Sequence, residues 1–140
     1  MRIVKVAATQ MGCAENATDN IALAEKQVRG AAAEGAQIVL LQELFETPYF
    51  CKDMNSDNFA LAHDSQNNSI VEHFRKLARE LEVVLPISFF ERDNNAFFNS
   101  IAIIDADGSV MGIYRKSHIP QSPGYQEKFY FSPGDTGFKV

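Results

Sequence analysis

The sequence predicts an α/β fold, in which helices pack against a sheet that begins with parallel strands. Apolar runs typical of buried strands alternate with segments whose apolar residues recur at helical spacing. The resulting order is β-α-β-α-β followed by a β-hairpin, which indicates a layered domain with an antiparallel pair at its end. Hydrophobic residues make up 46% of the 140 residues, so residues 1–140 are expected to form a single globular domain with its own core.

The first half of the sequence has the pattern of a strand, a helix and a second strand. Residues 3–9 are predicted to form a buried strand, and Thr18 or Asp19 is predicted to cap the helix that follows. Gly35 is placed to end this helix. Residues 38–42 are predicted to form a second buried strand, with the continuous apolar character that parallel strands tend to have. One face of the helix carries its apolar residues, which are Ile21, Ala24, Val28 and Ala32.

The next segment adds a loop, a second helix and a third strand. Residues 47–68 are polar and broken, which predicts a long loop that could hold one helical turn. Ser69 and Glu72 are spaced as a capping box that opens a helix. Residues 83–91 are predicted to form a strand that is irregular at Pro86. The apolar face of the second helix consists of Ile70, Phe74, Leu77, Ala78 and Leu81.

The remainder of the chain contains a hairpin and a loop-rich segment. Residues 98–105 and 109–114 flank an Ala-Asp-Gly turn at residues 106–108, which predicts two antiparallel strands. After Lys116 the sequence becomes rich in proline, glycine and aromatic residues. Residues 138–140 have the character of a new strand, so we expect the fold to continue past the end of this chain.

The composition argues against several classes of function. A net charge of −5, without a cluster of lysine and arginine, disfavours binding to nucleic acid. No apolar run reaches transmembrane length and the amino terminus has no signal-peptide layout, so no membrane association is expected. Cys13 and Cys51 are then expected to be free thiols in the cytoplasm. The three histidines lack metal-ligand spacing, and neither a metal nor another cofactor is predicted: His63, His73 and His118.

Two charged residues stand where predicted strands give way to loops, and one loop is unusually aromatic. Glu43 and Lys116 could serve as a base and as a stabiliser of an oxyanion if they meet. The alternative is that both are simply solvated. Tyr125 and Tyr130, with Glu127 between them, could bind a cationic amine through aromatic and carboxylate contacts. The alternative for this loop is packing over the core.

These segments together resemble the nitrilase superfamily of carbon–nitrogen hydrolases. Residues 40–45 are similar to the glutamate motif of that family, and residues 114–120 are similar to its lysine motif. Residues 123–131 and 133–138 resemble the branch that acts on N-carbamoylputrescine. The resemblance implies an αββα sandwich, of which this chain would form about half. It also implies that the full-length protein is a homo-oligomer.

The resemblance also implies a role for each candidate residue. Glu43 would be the general base, Lys116 would stabilise the tetrahedral oxyanion, and Glu127 would be an additional active-site glutamate. The family's third catalytic residue is a cysteine that falls a few dozen residues after the lysine, and neither Cys13 nor Cys51 occupies an equivalent position. The chain is therefore predicted to be a domain truncated on its C-terminal side and inactive alone.

The predicted reaction is hydrolysis of N-carbamoylputrescine to putrescine, carbon dioxide and ammonia through a covalent thioester. Other substrates within the same superfamily remain alternatives, namely a carbamoyl-β-amino acid, a carbamoyl-D-amino acid or a simple amide. An acidic substrate would require an arginine opposite its carboxylate, whereas the aromatic and acidic loop suits an amine. An alternative from another class is a non-catalytic half-domain that binds a small amine or pairs with another chain.

Overall fold

The computed structural model describes residues 3–138 and has the predicted α/β architecture. The prediction that residues 138–140 begin a strand lies largely outside these residues. In chain order the elements are β1 (Val6–Ala8), α1 (Ala17–Ala33), β2 (Ile38–Leu40), β3 (His63–Asp64), α2 (Ser69–Leu81), β4 (Leu85–Asp93), β5 (Ala96–Ile104), β6 (Val110–Arg115) and α3 (Glu127–Tyr130).

The strands form a parallel part and an antiparallel part that meet at β4. β1 pairs with β2 in parallel, while β3, β4, β5 and β6 lie side by side in that order. β5 pairs with β4 and with β6 in antiparallel fashion, and the sequence predicts this for its last pair, β5 and β6. The two parts are joined because Val39 N donates to Val84 O across 3.0 Å and Val84 N donates to Gln37 O across 2.9 Å.

Helix α1 has the predicted apolar face but begins earlier than predicted. Asn16 is its N-cap, since the side-chain oxygen of Asn16 accepts a hydrogen bond from Thr18 N across 2.9 Å. The prediction of Thr18 or Asp19 as the cap is therefore wrong. Gly35 follows the last turn with a φ of +87°, which confirms that it ends the helix. Ala24 and Val28 are buried in the core.

The cap of helix α2 likewise differs from the prediction, here by one residue. Asn68 Oδ1 accepts from Ile70 N and Val71 N at 3.0 and 3.1 Å, so Ser69 is the first helical residue and the predicted capping box is wrong. The apolar face is confirmed, with four residues buried and Leu81 packed against the same core. This core lies between the two helices and one face of the sheet.

The long strands are more regular than the sequence suggests. β4 pairs with β5 without interruption and Pro86 lies opposite Ile103, so the predicted irregularity at Pro86 is wrong. The irregularity occurs instead between Ile103 and Ile104, where the register with β6 shifts. The predicted hairpin is confirmed: Asp105 N donates to Ser109 O, and Gly108 has the positive φ of +81° that its turn requires.

A second, largely aromatic cluster lies beneath the long loop after β2. Its buried residues are Leu44, Phe50, Cys51, Phe90, Ile119, Tyr130 and Phe131. The loop holds two short 3-10 turns, Phe50–Lys52 and Ser56–Leu61, and is thus more structured than the single turn predicted. This cluster connects the loop to α3 and brings together residues far apart in the sequence.

The opposite face of the sheet is apolar, and no other element among residues 3–138 covers it. Ala102 and Ile104 face the helices, whereas Ile101 and Ile103 line an open cavity of about 440 Å³ together with residues of β6. Leu40 and Met111 are also exposed. None of the helices within residues 3–138 has the length and apolar character needed to cross a membrane.

Candidate active site

Glu43 lies in a sharp turn that follows β2. The next residue, Leu44, adopts a left-handed conformation with a φ of +53°, which costs a non-glycine residue roughly 1 kcal/mol or more. Leu44 N donates a hydrogen bond to Ser88 Oγ on β4 across 3.0 Å. The backbone that carries the Glu43 carboxylate is therefore fixed from the neighbouring strand.

Lys116 directly follows β6 and meets two carboxylates. Its backbone N donates to Asn99 O across 2.8 Å, which continues the pairing of β6 with β5. Its Nζ lies 3.1 Å from Glu43 Oε1 and 2.8 Å from Glu127 Oε2. The three predicted catalytic residues therefore form one cluster, although the roles assigned to them by resemblance remain predictions.

Glu127 is held by hydrogen bonds at both carboxylate oxygens. It is the first residue of α3, and its side chain is only 4% exposed. Oε2 accepts from Lys116, and Oε1 accepts from the Tyr49 hydroxyl across 2.8 Å. Burial, followed by this hydrogen bond, raises the pKa of Tyr49, so the hydroxyl keeps its proton and donates. Glu127 is thus a fixed negative charge beside Lys116.

Glu43 is arranged differently, because only one of its oxygens is occupied. Oε1 accepts from both Lys116 Nζ and Asn99 Nδ2, the latter across 2.5 Å. Among the residues that the structure describes, Oε2 has no hydrogen-bond partner, and the side chain is 53% exposed. Glu43 borders an open cleft of about 330 Å³, which is also lined by Ser88, Ile101 and Tyr114. The free oxygen is available to accept a proton from a group that enters this cleft.

The environment of Lys116 favours its charged form. Burial alone would lower the pKa of Lys116, but the hydrogen bonds that its ammonium donates to Glu127 and Glu43 outweigh burial and raise that pKa. The side chain is 30% exposed, so its ammonium group can be reached from the cleft. A cation held in place by two carboxylates can stabilise negative charge that develops on a substrate oxygen.

The two candidate substrate-binding tyrosines have different environments. Tyr125 is 56% exposed, and its ring centroid lies 5.9 Å from that of Tyr49. Tyr130 is only 3% exposed, and its hydroxyl donates to Asp53 O and accepts from Asn55 N and Asn58 Nδ2. The structure therefore gives Tyr130 a packing role in the aromatic cluster, and its contact with substrate stays a prediction. Tyr125 remains a candidate.

Neither cysteine is arranged as a nucleophile within residues 3–138. Cys51 is fully buried, and burial together with the charges of Glu127 and Glu43 raises the pKa of its thiol to about 12. Burial also raises the pKa of Cys13, whose Sγ donates to Phe45 O. A thiol must ionise to attack, so both are poor nucleophiles. No group of three histidine, cysteine, aspartate or glutamate residues in this part of the chain is arranged to hold a metal.

Two residues of the cluster are missed by sequence reasoning. Asn99 is a polar residue within an apolar strand segment, and this mismatch is a signal that could have identified it. Tyr49 lies in the segment predicted to be a loop, and nothing in its local sequence points to Glu127, which is 78 residues away.

Comparisons with known proteins show the family to which the chain is similar. The carbon-nitrogen hydrolase family model matches residues 5–140. N-carbamoylputrescine amidase of Oryza sativa subsp. japonica is 57% identical over 98% of this chain and 46% of its own length. Citrullinase of Francisella tularensis is 52% identical over 100% of this chain and 49% of its own length.

A solved structure shares the fold. The carbon-nitrogen hydrolase from Helicobacter pylori G27 is 35% identical, with a TM-score of 0.89 over 96% of this chain and 46% of that one. This confirms the predicted nitrilase-like α/β fold, and the chain spans about half the length of the curated relatives it matches. The family match along nearly the whole chain leads to one conclusion: the chain belongs to the carbon-nitrogen hydrolase family.

Proposed function

We propose that this chain supplies the amino-terminal half of a thiol-dependent hydrolase that cleaves N-carbamoylputrescine. The observation that carries the proposal is the cluster in which Lys116 bridges Glu43 and Glu127 beside an open cleft. Glu43 keeps one free carboxylate oxygen for proton transfer, while Glu127 has none. This arrangement supports proton transfer by Glu43 and positioning of the Lys116 charge by Glu127.

The proposed mechanism uses a cysteine thiol from the remainder of the protein. Glu43 takes the thiol proton as the sulfur attacks the ureido carbon, and Lys116 stabilises the oxygen that gains negative charge. The tetrahedral intermediate collapses, and Glu43 returns the proton to the nitrogen of the departing putrescine. A carbamoyl group then remains on sulfur. Water, deprotonated by Glu43, displaces the sulfur and releases carbamic acid, which decomposes to carbon dioxide and ammonia.

The substrate class follows from the chemistry that the relatives' names imply. N-carbamoylputrescine and citrulline each carry a terminal ureido group on an alkyl chain with a cationic amine at the far end, which in citrulline is accompanied by a carboxylate. The exposed ring of Tyr125 beside Tyr49, close to two carboxylates, supports recognition of such a cation. Carbamoyl-β-amino acids, carbamoyl-D-amino acids and simple amides remain alternative substrates.

Properties of the whole protein form part of the same proposal. We infer a homo-oligomer that takes part in polyamine biosynthesis in the cytoplasm. Both cysteines of this chain are free thiols, which supports a reducing compartment. The uncovered apolar sheet face supports the presence of a further layer that packs against it in the complete protein.

The test is ammonia release by the full-length protein and by residues 1–140 alone. The substrates are N-carbamoylputrescine, citrulline, N-carbamoyl-β-alanine, an N-carbamoyl-D-amino acid and an aliphatic amide. We expect turnover of N-carbamoylputrescine by the full-length protein and none by the isolated chain, because the nucleophile is absent from it. Sustained turnover by residues 1–140 would refute the requirement for a further cysteine. Inactivity of the full-length protein toward every substrate, with folding that depends on concentration, would favour the non-catalytic pairing function.

A further inference from the structure

Arg115 and Lys116 are adjacent in sequence but have entirely different partners. The Lys116 ammonium contacts Glu43 and Glu127 in the cleft, whereas the Arg115 guanidinium contacts Glu91 and Asp93 on β4. This difference follows from the alternation of side chains along an extended strand, which directs neighbouring residues to opposite faces of a sheet. Contacts that hold the Arg115 side chain therefore also hold the backbone that carries Lys116.

The anchor of Arg115 is buried and strongly bonded. Its Nε and one terminal nitrogen donate to the two oxygens of Glu91 at 3.0 and 2.6 Å, and the same terminal nitrogen lies 2.7 Å from Asp93. Glu91 is almost fully buried and also accepts from Ser100 Oγ. The guanidinium carbon lies 4.0 Å from the centre of the Phe98 ring. Bidentate pairing of this kind fixes position as well as charge.

A second set of contacts ties the same backbone to residues 134–136. The other terminal nitrogen of Arg115 donates to Asp135 Oδ1 across 3.0 Å, and Arg115 N donates to Thr136 Oγ1 across 3.0 Å. Gly134 N donates to Lys116 O across 2.8 Å. The approach is so close that a Cβ at residue 134 would lie 2.0 Å from Arg115 O, so only glycine fits there.

We propose that Arg115 is a positioning residue, which holds the Lys116 ammonium between Glu43 and Glu127 by clamping β6 to β4 on one side and to residues 134–136 on the other. The proposal deepens the proposed function, on which its kinetic consequence rests. Arg115 does not reach the cleft, so it acts only through Lys116. Misplacement of a catalytic group by about an ångström can cost on the order of 100-fold in rate.

Three variants of the full-length protein test the clamp. Arg115→Lys keeps the charge but removes the planar fork, while Thr136→Val and Asp135→Ala each remove one contact with residues 134–136. The latter two leave the buried pair with Glu91 intact, so they remain informative if Arg115→Lys fails to fold. The matched control is Arg92→Lys, because Arg92 lies on β4 between the two carboxylates that Arg115 contacts but forms only an exposed ion pair with Asp64 across 3.5 Å.

The first readout is competitive chemical labelling of lysines, quantified by mass spectrometry, which does not require activity. We expect Lys116 to become several-fold more reactive in all three variants and to stay unchanged in Arg92→Lys, with Lys5 and Lys26 as internal references. The second readout is steady-state kinetics, where we expect kcat to fall by about 10- to 100-fold in Arg115→Lys with little change in KM.

Each readout can overturn the proposal. Lys116 labelling that stays at the wild-type rate in the variants would overturn it, and so would a kcat in Arg115→Lys equal to that of Arg92→Lys. If the wild-type protein hydrolyses none of the substrates, the proposed function fails, and the labelling comparison alone decides whether Arg115 positions Lys116.

Discussion

Glu43 and Glu127 lie on either side of the same lysine but differ in how their oxygens are used. Glu127 accepts from Tyr49 and Lys116 with its two oxygens, while Glu43 accepts twice at one oxygen and presents the other to the cleft. The Glu127 side chain is only 4% exposed, whereas the Glu43 side chain is 53% exposed, so a proton donor that enters the cleft can reach the free oxygen of Glu43. The geometry therefore favours Glu43 as the acid–base residue.

The hydrogen bond from Tyr49 to Glu127 should matter for catalysis more than for folding. Tyr49→Phe removes a donor to a buried carboxylate, an interaction worth about 1.5–3 kcal/mol, so kcat of the full-length protein should fall about 10- to 100-fold. The matched control is Tyr130→Phe, whose hydroxyl serves only backbone and Asn58 partners. It should lower the free energy of unfolding by about 1–2 kcal/mol and leave kcat nearly unchanged. The opposite pattern would reverse the roles assigned to these two tyrosines.

The Cys51 thiol should make the free energy of unfolding depend on pH in the alkaline range. Its pKa is raised from 9.0 to about 12 in the folded protein, so the unfolded chain ionises first. The contribution to stability is therefore complete below pH 9.0 and is lost as the pH rises toward about 12. Urea unfolding across this range, compared with Cys51→Ala, measures the effect, because the rise in the pKa of Lys116 remains in both proteins. Labelling of Cys51 by a thiol reagent at pH 8 without unfolding would contradict this account.

The candidate site was predictable from the sequence only in part. Resemblance to the glutamate and lysine motifs identifies Glu43 and Lys116, and the resemblance of residues 123–131 identifies Glu127; in the structure Lys116 contacts both glutamates. Tyr49 and Asn99 are not marked by any motif, and their importance comes from contacts made across 78 and 56 residues. The different exposure of Tyr125 and Tyr130 could not be predicted, because an aromatic residue in a loop has the same local sequence whether it faces solvent or the core.

At the scale of secondary structure, the apolar faces of the helices were predictable and their first residues were not. Periodicity identifies Val28 and Phe74 as core residues because a buried stripe must recur at helical spacing. Several polar residues precede each helix, and any of them can act as a cap. In both helices an asparagine takes this role, Asn16 and Asn68.

The cap of α2 gives a direct test at this scale. Asn68→Ala should lower the free energy of unfolding by about 1 kcal/mol, because two backbone donors lose their acceptor. Ser69→Ala is the neighbouring control, and it should change stability by only a few tenths of a kcal/mol, since Ser69 is already helical. Thermal or chemical unfolding of the two variants measures this difference. A larger loss for Ser69→Ala would restore the capping box predicted from the sequence.

At the scale of the whole molecule, the helices cover one face of the sheet and leave the other open. The open face carries Leu40, Ile101 and Ile103, and the candidate active site lies at one end of it. Strand alternation predicts that the strands have two apolar faces, but not which layer covers the second one. The further layer proposed above for the complete protein would cover these exposed apolar residues.

The central claim is that Glu43 performs proton transfer beside a charged Lys116 in hydrolysis of a carbamoyl amine. The most direct measurement is the steady-state rate of ammonia release from N-carbamoylputrescine by the full-length protein and by its Glu43→Gln variant. The amide retains an oxygen for Asn99 and Lys116 but cannot take a proton, so the account predicts a loss in kcat of at least about 10³-fold in a folded protein. A Glu43→Gln variant that retains a rate near that of the wild type would contradict it.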